Sequence, residues 1–248
     1  MKPRSPLAGS AASHRFAAGA RAALAGGALV LASGCATGPN ANPADPLEPL
    51  NRQVYRFNNT LDDALLKPAA TVYVKVLPSP VRSGVNNFFG NLSDVWSFVN
   101  SVAQLKLQDS AQTFMRVNVN TVFGLGGILD VATELGIDRH SEDFGQTLGR
   151  WGVPAGPYLM LPILGPSTLR DTAALPVDLR GDLVSGVSDI SVRNSMYAIR
   201  LIDIRANLLR VGQLLDDAAL DRYTFTRDAF LQRRRNEVHD GNLPDDGN

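Results

Sequence analysis

Val85-Asn-Asn-Phe-Phe-Gly-Asn-Leu-Ser-Asp-Val-Trp-Ser-Phe-Val-Asn-Ser-Val-Ala-Gln-Leu-Lys-Leu107 brings apolar side chains round at threes and fours: Val85, Phe88, Phe89, Leu92, Trp96, Val99 and Leu105. That spacing places them on one side of a helix, and the wide apolar stripe predicts a helix with a broad greasy face. Working outward, a second helical piece is expected from Ser110 to Phe123, and an earlier one from the recurrence of Leu50, Val54, Phe57 and Leu61, with Asn51 placed to cap its start. Pro68 interrupts. The β-branched run from Thr71 to Leu77 reads as a strand or as helix carried on until Pro78 and Pro80 stop it. Further on, Met196, Ile199 and Ile202, then Leu208, Val211 and Leu215, mark another helix, and Tyr223 to Arg235 a last one. The fold class expected is therefore mostly α, and 248 residues fit one sizeable domain or two small ones.

Two stretches break the helical pattern. Gly124-Leu-Gly-Gly-Ile-Leu-Asp130 is dense in glycine, which permits close backbone approach or a sharp bend. It lacks the full spacing of a dinucleotide fingerprint and the Lys-Ser/Thr ending of a P-loop, so it reads as a hinge or packing device. From Val153 to Asp171 prolines punctuate a run with almost no charge, which can be neither a long helix nor a central strand. Such a run lies either in a core or against acyl chains.

The amino terminus has its own logic. Lys2, Arg4, Arg15 and Arg21 precede an apolar stretch from Ala22 to Ala32, and small residues lead to Cys35. This is the layout of a secretory signal, and the stretch is too short for the roughly 20 residues of a membrane span. Leu31-Ala-Ser-Gly-Cys35 resembles a bacterial lipobox, although Ala32 stands three before the cysteine where leucine is preferred. Cys35 is the chain's one cysteine, so no disulfide can form within it, and it is expected to be diacylated, two chains giving a stable anchor where one does not. Ala36 in place of aspartate suits delivery to the outer membrane. The expected organisation is a signal peptide over residues 1–34, a flexible lipidated tether over 35–49, a helical domain over 50–235 and a disordered polar tail over 236–248.

Composition narrows the function. Among 248 residues, 24 Lys plus Arg balance 24 Asp plus Glu, so no net field draws the chain to nucleic acid. Apolar residues at 44 % against charged residues at 19 % lean towards lipid. Of three histidines, His14 falls in the signal, leaving His140 and His239, so His/Cys metal clusters are not expected. His140 sits in a polar run that reads as a solvated loop, and no Gly-x-Ser-x-Gly elbow accompanies it. Arg170 flanks the proline-rich run, where its guanidinium could read a phosphate or simply pair with Asp171.

A series of motifs then resembles one family. Asp45-Pro-Leu-Glu48, Asn51-Arg52, Tyr55, Phe57-Asn58, Asp62 and Pro68 look like the opening of the MlaA (VacJ) lipoproteins. Asn120-Thr121, Gly124 to Asp130, Phe144-Gly145, Thr147-Leu-Gly149 and Trp151-Gly-Val153 follow in order, then Gly156-Pro-Tyr158, Leu161-Pro162, Gly165-Pro-Ser-Thr168 and Arg170-Asp171. The resemblance runs from Asp45 to about Arg234 and fades after Asp171. It implies a single ring-like helical domain in the periplasmic leaflet of the outer membrane, with an amphipathic channel for misplaced phospholipid. It further implies association with trimeric porins, hand-over to a soluble carrier of the MlaC kind, no cofactor and no catalytic step. Carried across by position, Phe123, Leu125 and Ile128 would form a loop beside the channel, and Leu159, Leu161, Ile163 and Leu164 would supply apolar wall or membrane contact. The alternatives are a structural envelope scaffold and, less favoured, a lipid hydrolase.

Overall fold

The computed structural model describes residues 42–218 and 220–242. Cys35, the signal and residues 243–248 lie outside them. Helices dominate: α1 (Glu48–Leu61), α2 (Lys67–Val76), α3 (Ser79–Ala103), α4 (Leu107–Val122), α5 (Val131–Glu134), α6 (Phe144–Arg150), α7 (Leu169–Gly181), α8 (Ile190–Asn207), α9 (Leu209–Ala218) and α10 (Arg222–Val238). A π-helical turn, Asp62–Leu66, joins α1 to α2, and Leu183–Gly186 forms a 3₁₀ turn before α8. Two short antiparallel strands, β1 (Tyr158–Leu161) and β2 (Gly165–Thr168), pair from Tyr158 with Thr168 to Leu161 with Gly165.

Prolines set the joints as their chemistry requires. Pro80 stands in the first turn of α3, where its missing N–H would have had no partner, and the extended backbone at Pro78 separates α3 from α2. Thr71 to Leu77 resolves as helix up to Val76, its β-branched residues lying within α2. Pro68 likewise opens α2 and does not break the path, because the π turn before it carries the helix axis on. The long Val85–Leu107 helix begins earlier, at Ser79, and ends at Ala103; Leu105, in left-handed backbone, turns the chain into α4. The proline-rich run forms the hairpin, whose turn is closed by left-handed Ile163 and Gly165.

Three expectations need correction. Asn51 is not a cap: α1 starts at Glu48, and the buried Asn51 amide donates to Asp45 (2.8 Å) and to the Tyr158 carbonyl (3.0 Å) while its oxygen accepts from Met160 N–H (2.9 Å). The segment before residue 50 is not all tether, because Asp45 is fully buried and takes Asn51, Tyr223 and Arg227 as partners. A carboxylate with three donors stays in place where its polar composition alone suggested a loose chain. The last helix also runs beyond residue 236, to Val238, which is buried.

The apolar core sits at the hairpin: Tyr158, Met160 and Tyr223, with Val54, Tyr55, Phe230 and Leu231 packed around them. Tyr223 meets Tyr55 and Tyr158 edge-to-face, at centroid distances of 5.6 and 6.3 Å. This cluster joins α1, β1 and α10, so the two ends of the described chain close on one another.

Candidate functional site

The α3–α4 pair is built inside out. On α3 the buried positions include Asp94, Ser97, Ser101 and, just past its end, Gln104; on α4 they are Ser110, Thr113, Arg116 and Asn120. These steps of three and four define a stripe on each helix, so the periodicity predicted by the apolar residues is matched by a polar one facing inward. The opposite faces carry Val99, Val102, Phe114, Met115 and Val122 exposed, and Leu105 and Leu107 at the joint are 82 % and 81 % exposed. Among the described residues, 21 buried polar or charged side chains stand against ten buried apolar ones.

A connected charge network fills the seam. Arg116, 2 % exposed, directs Nη2 at both carboxylate oxygens of Asp130 (2.9 Å each) and Nη1 at Thr133 Oγ1 (3.1 Å). Asp94 lies 3.9 Å from Arg116 Nε and accepts from Arg139 Nε at 2.8 Å. Burial raises the Asp94 carboxyl, an effect that Arg139 and Arg116 oppose. Burial would raise Asp130 as well, but hydrogen bonds from Thr133, Asn120 and Arg116 outweigh it and hold that carboxyl at about 2. Glu142 is pushed up by burial against the pull of Lys106 (Nζ at 2.7 Å) and Gln104 (Nε2 at 2.8 Å).

The glycine-rich loop after α4 hangs from this network. Gly126 N–H donates to Thr121 O, Gly127 N–H to Asn120 O, and Leu129 N–H to Gly124 O. A Cβ on Gly124 would lie 2.2 Å from the Leu129 carbonyl and 2.4 Å from that of Asn120, so only glycine fits this turn. The loop thereby holds Phe123 (70 % exposed), Leu125 and Ile128 outward. Ile163 and Leu164 are exposed on the hairpin turn, while Leu159 and Leu161 are half-buried on β1, alternating with buried Tyr158 and Met160. The two sets of predicted wall residues thus occupy separate segments, a loop and a hairpin, the first fixed by Asp130 and Asn120, the second by Asn58, whose amide donates to Leu161 O (2.9 Å) and accepts from Ile163 N–H (2.8 Å).

Sequence reasoning missed this use of asparagine. Asn51 and Asn58 are seven apart on α1, two turns along one face, and each amide engages both a carbonyl and an N–H of the hairpin. Polar residues at helical spacing were the available signal. Also missed was the π-helical turn, where Arg205 holds Asp62 through two bonds of 2.6 and 2.8 Å beside a cavity of about 410 Å³ that Asp63, Lys67 and Arg222 help to line. Such turns often mark functional positions in helices.

The remaining candidates are placed as follows. Arg170 is buried and donates from Nε to Asp171 (3.0 Å), which Arg234 also holds (2.9 Å). His140 Nε2 is paired with Gln112 at 2.6 Å and His239 Nδ1 donates to the Arg235 carbonyl at 2.9 Å; neither bond involves a serine. The carboxylates of Asp109, Glu142 and Asp240 come within 4.8 Å of one another, but the Lys106 ammonium already sits on Glu142 and Asp240. No described helix is long and apolar enough to cross a membrane.

Comparison with known proteins agrees with this geometry. A family model described as MlaA lipoprotein matches residues 43–237. The chain is 35 % identical over 228 residues, 89 % of each chain, to the intermembrane phospholipid transport system lipoprotein MlaA of Shigella flexneri. It is 36 % identical over 208 residues, 80 % of this chain and 81 % of the relative, to the protein of the same name from Haemophilus influenzae. A solved structure described as the structural basis for maintenance of bacterial outer membrane lipid asymmetry superposes with a TM-score of 0.69 at 34 % identity, covering 78 % of this chain and 98 % of that one. With a family model spanning most of its length and relatives matched nearly end to end, the chain belongs to the MlaA lipoprotein family.

Proposed function

We propose that this protein removes phospholipid misplaced in the outer leaflet of the outer membrane and passes it inward, keeping that membrane asymmetric. The observation that carries the reading is the inverted α3–α4 pair, which turns apolar side chains outward and keeps Asp94, Arg116 and Asn120 inside. In water, leaving a Leu or Phe exposed forgoes about 1.5–3 kcal/mol each, so a band of them suits an apolar surrounding. A lipid headgroup in transit needs polar space while its tails stay in apolar surroundings. The mixed-charge cavity beside the π-helical turn offers such space, with Asp62, Lys67 and Arg205 at its wall.

Family membership supports the finer parts of the reading, which remain part of the proposal. Cys35 is the diacylated anchor, holding the protein in the periplasmic leaflet as a ring-like body. Phe123, Leu125, Ile128, Ile163 and Leu164 contact lipid, with Leu159 and Leu161 behind them. A trimeric porin seats the protein, and a soluble periplasmic carrier of the MlaC kind receives the lipid. Moving a lipid along this path breaks no covalent bond, so the reading calls for no cofactor or catalytic group.

The test is outer-leaflet phospholipid exposure in a deletion strain, read with an enzyme that modifies only surface-displayed lipid. Exposure should rise on deletion and return to normal with the native gene but not with Cys35→Ser. Unchanged exposure in a strain with no related gene overturns the transport reading.

A further inference from the structure

A cleft of about 680 Å³ lies between the segment 149–156 and α10, with Ala44 on its wall. Its charged and titratable lining consists of Arg170, Arg234, Arg235 and His239, without one carboxylate. That is a marked local imbalance in a chain whose acids and bases are equal in number. Asp143, Asp171 and Glu237, the acids next to it, are all engaged by Arg234, through bonds of 2.6 to 3.3 Å.

Arg170 is the unusual member. It is 7 % exposed, its Nε donates to Asp171 Oδ1, and its Nη2 lies in a salt bridge 2.9 Å from that same oxygen without an aligned hydrogen bond, so this buried donor's hydrogen-bonding capacity is not filled. Buried donors without acceptors are rare and costly. Gly149 makes the room: a Cβ there would lie 2.5 Å from Arg170 Nη1 and 2.9 Å from Val238. His239 donates through Nδ1 to the Arg235 carbonyl, which leaves Nε2 as the ring atom able to meet a ligand. Val153, Leu231 and Val238 add apolar wall and Thr168 and Gln232 uncharged polar side chains, and Trp151, next in sequence to lining Gly152, is exposed. Tryptophan in that setting suits a membrane–water boundary.

We propose that this cleft is a phosphate-binding site that takes the headgroup phosphate of a glycerophospholipid, with Arg170 as its buried counter-ion and Gly149 as the residue that leaves room beside the guanidinium Nη1. A guanidinium matches phosphate oxygens through paired hydrogen bonds, and the apolar walls accommodate the glycerol and first methylenes. The choice of lipid over free inorganic phosphate rests on the transport reading; the phosphate chemistry of the cleft does not.

The experiment is calorimetric titration of the full-length protein in detergent micelles with dihexanoyl phosphatidylglycerol, inorganic phosphate and dihexanoylglycerol. The short-chain lipid should bind and dihexanoylglycerol should not; Arg170→Lys and Gly149→Ala should each weaken lipid binding about tenfold, as loss of one bidentate phosphate contact implies. Thermal unfolding followed by circular dichroism checks that the variants fold. Val153→Trp, on the exposed rim, obstructs the cleft without touching the buried pair and keeps the test decisive if either interior variant fails to fold. Binding of inorganic phosphate with no binding of lipid overturns the lipid source. Lipid binding that all three variants leave unchanged, or no binding of either phosphate probe, overturns the site. A silent site with exposure still rising in the deletion strain sinks only this proposal, whereas a binding site with a silent deletion sinks only transport.

Discussion

The α3–α4 seam and the Tyr158–Tyr223 cluster lie in one molecule and are held by opposite means. Around Tyr158, aromatic rings and Met160 are buried, and neighbouring α10 turns charges such as Arg233 outward. Along α3–α4, Asp94, Thr113, Arg116 and Asn120 are buried and Val99, Val102, Leu107, Phe114 and Val122 turn outward. Water drives the first arrangement, since burial removes apolar area from it. It opposes the second, whose cohesion comes from charge pairing and close packing, as between helices in lipid, even with Ser101 Oγ, Thr113 Oγ1 and Arg116 Nε left without hydrogen-bond partners. On the proposed reading one chain is partitioned between two solvents, and a substitution of given size should act differently in each half.

The largest effect is expected at Arg116. Arg116→Met leaves Asp94 buried with Arg139 as its remaining cation and strips Asp130 of its bidentate partner, so unfolding in detergent should lose about 3–5 kcal/mol. Chemical denaturation in micelles measures this, and a loss under 1 kcal/mol would mean that the seam is not held by its charges. In the watery half, Asn51→Leu removes hydrogen bonds to Asp45, Tyr158 and Met160 and should cost about 2–3 kcal/mol through orphaned partners. Hydrogen exchange at the Met160 amide should quicken with it; unchanged protection there would refute the clamp.

Acid sharpens the contrast. Asp130 titrates near 2 when folded and at 3.8 when free, so its contribution is complete above about pH 4 and drains away as the pH falls towards 2. Melting curves across that window should show a slope that Asp130→Asn flattens, and an unaltered slope would assign the acid sensitivity elsewhere. The smallest effect on stability is expected from Phe123→Ser with Leu125→Ser. Both side chains are exposed, so stability in micelles should move by about 0.5 kcal/mol or less for each. Flotation with phospholipid vesicles should nonetheless fall, since each side chain would contribute about 1.5–3 kcal/mol on entering lipid. Undiminished flotation would remove this loop from the membrane-contact surface.

Much of the candidate site was legible only as periodicity. Leu92 and Val99 announce a helix with a greasy face, and the helix is there, but the same spacing is satisfied whether that face meets a core or a lipid. The complementary stripe, Asp94, Ser97 and Ser101, is equally regular and reads as a solvated side until it is seen buried. Asn51 precedes a helical run as a cap would, yet its partners Tyr158 and Met160 lie more than 100 residues away. Asp45 falls among the proline and asparagine of an apparent tether because Tyr223 and Arg227, which hold it, come from the far end of the chain.

What the sequence determined by itself is local: helices through their three-and-four spacing, joints through Pro78, Pro80 and Gly124, and the family through a run of short motifs in order. Those features depend on backbone sterics and on neighbours a few residues apart, which the order of residues specifies directly. The tertiary structure alone decided which face of each helix turns inward, that asparagines on α1 hold the hairpin, and that Arg170 lies over Gly149 with a donor to spare. Those depend on partners brought together from distant segments and on the solvent each face meets, and neither is written in the spacing of a single segment.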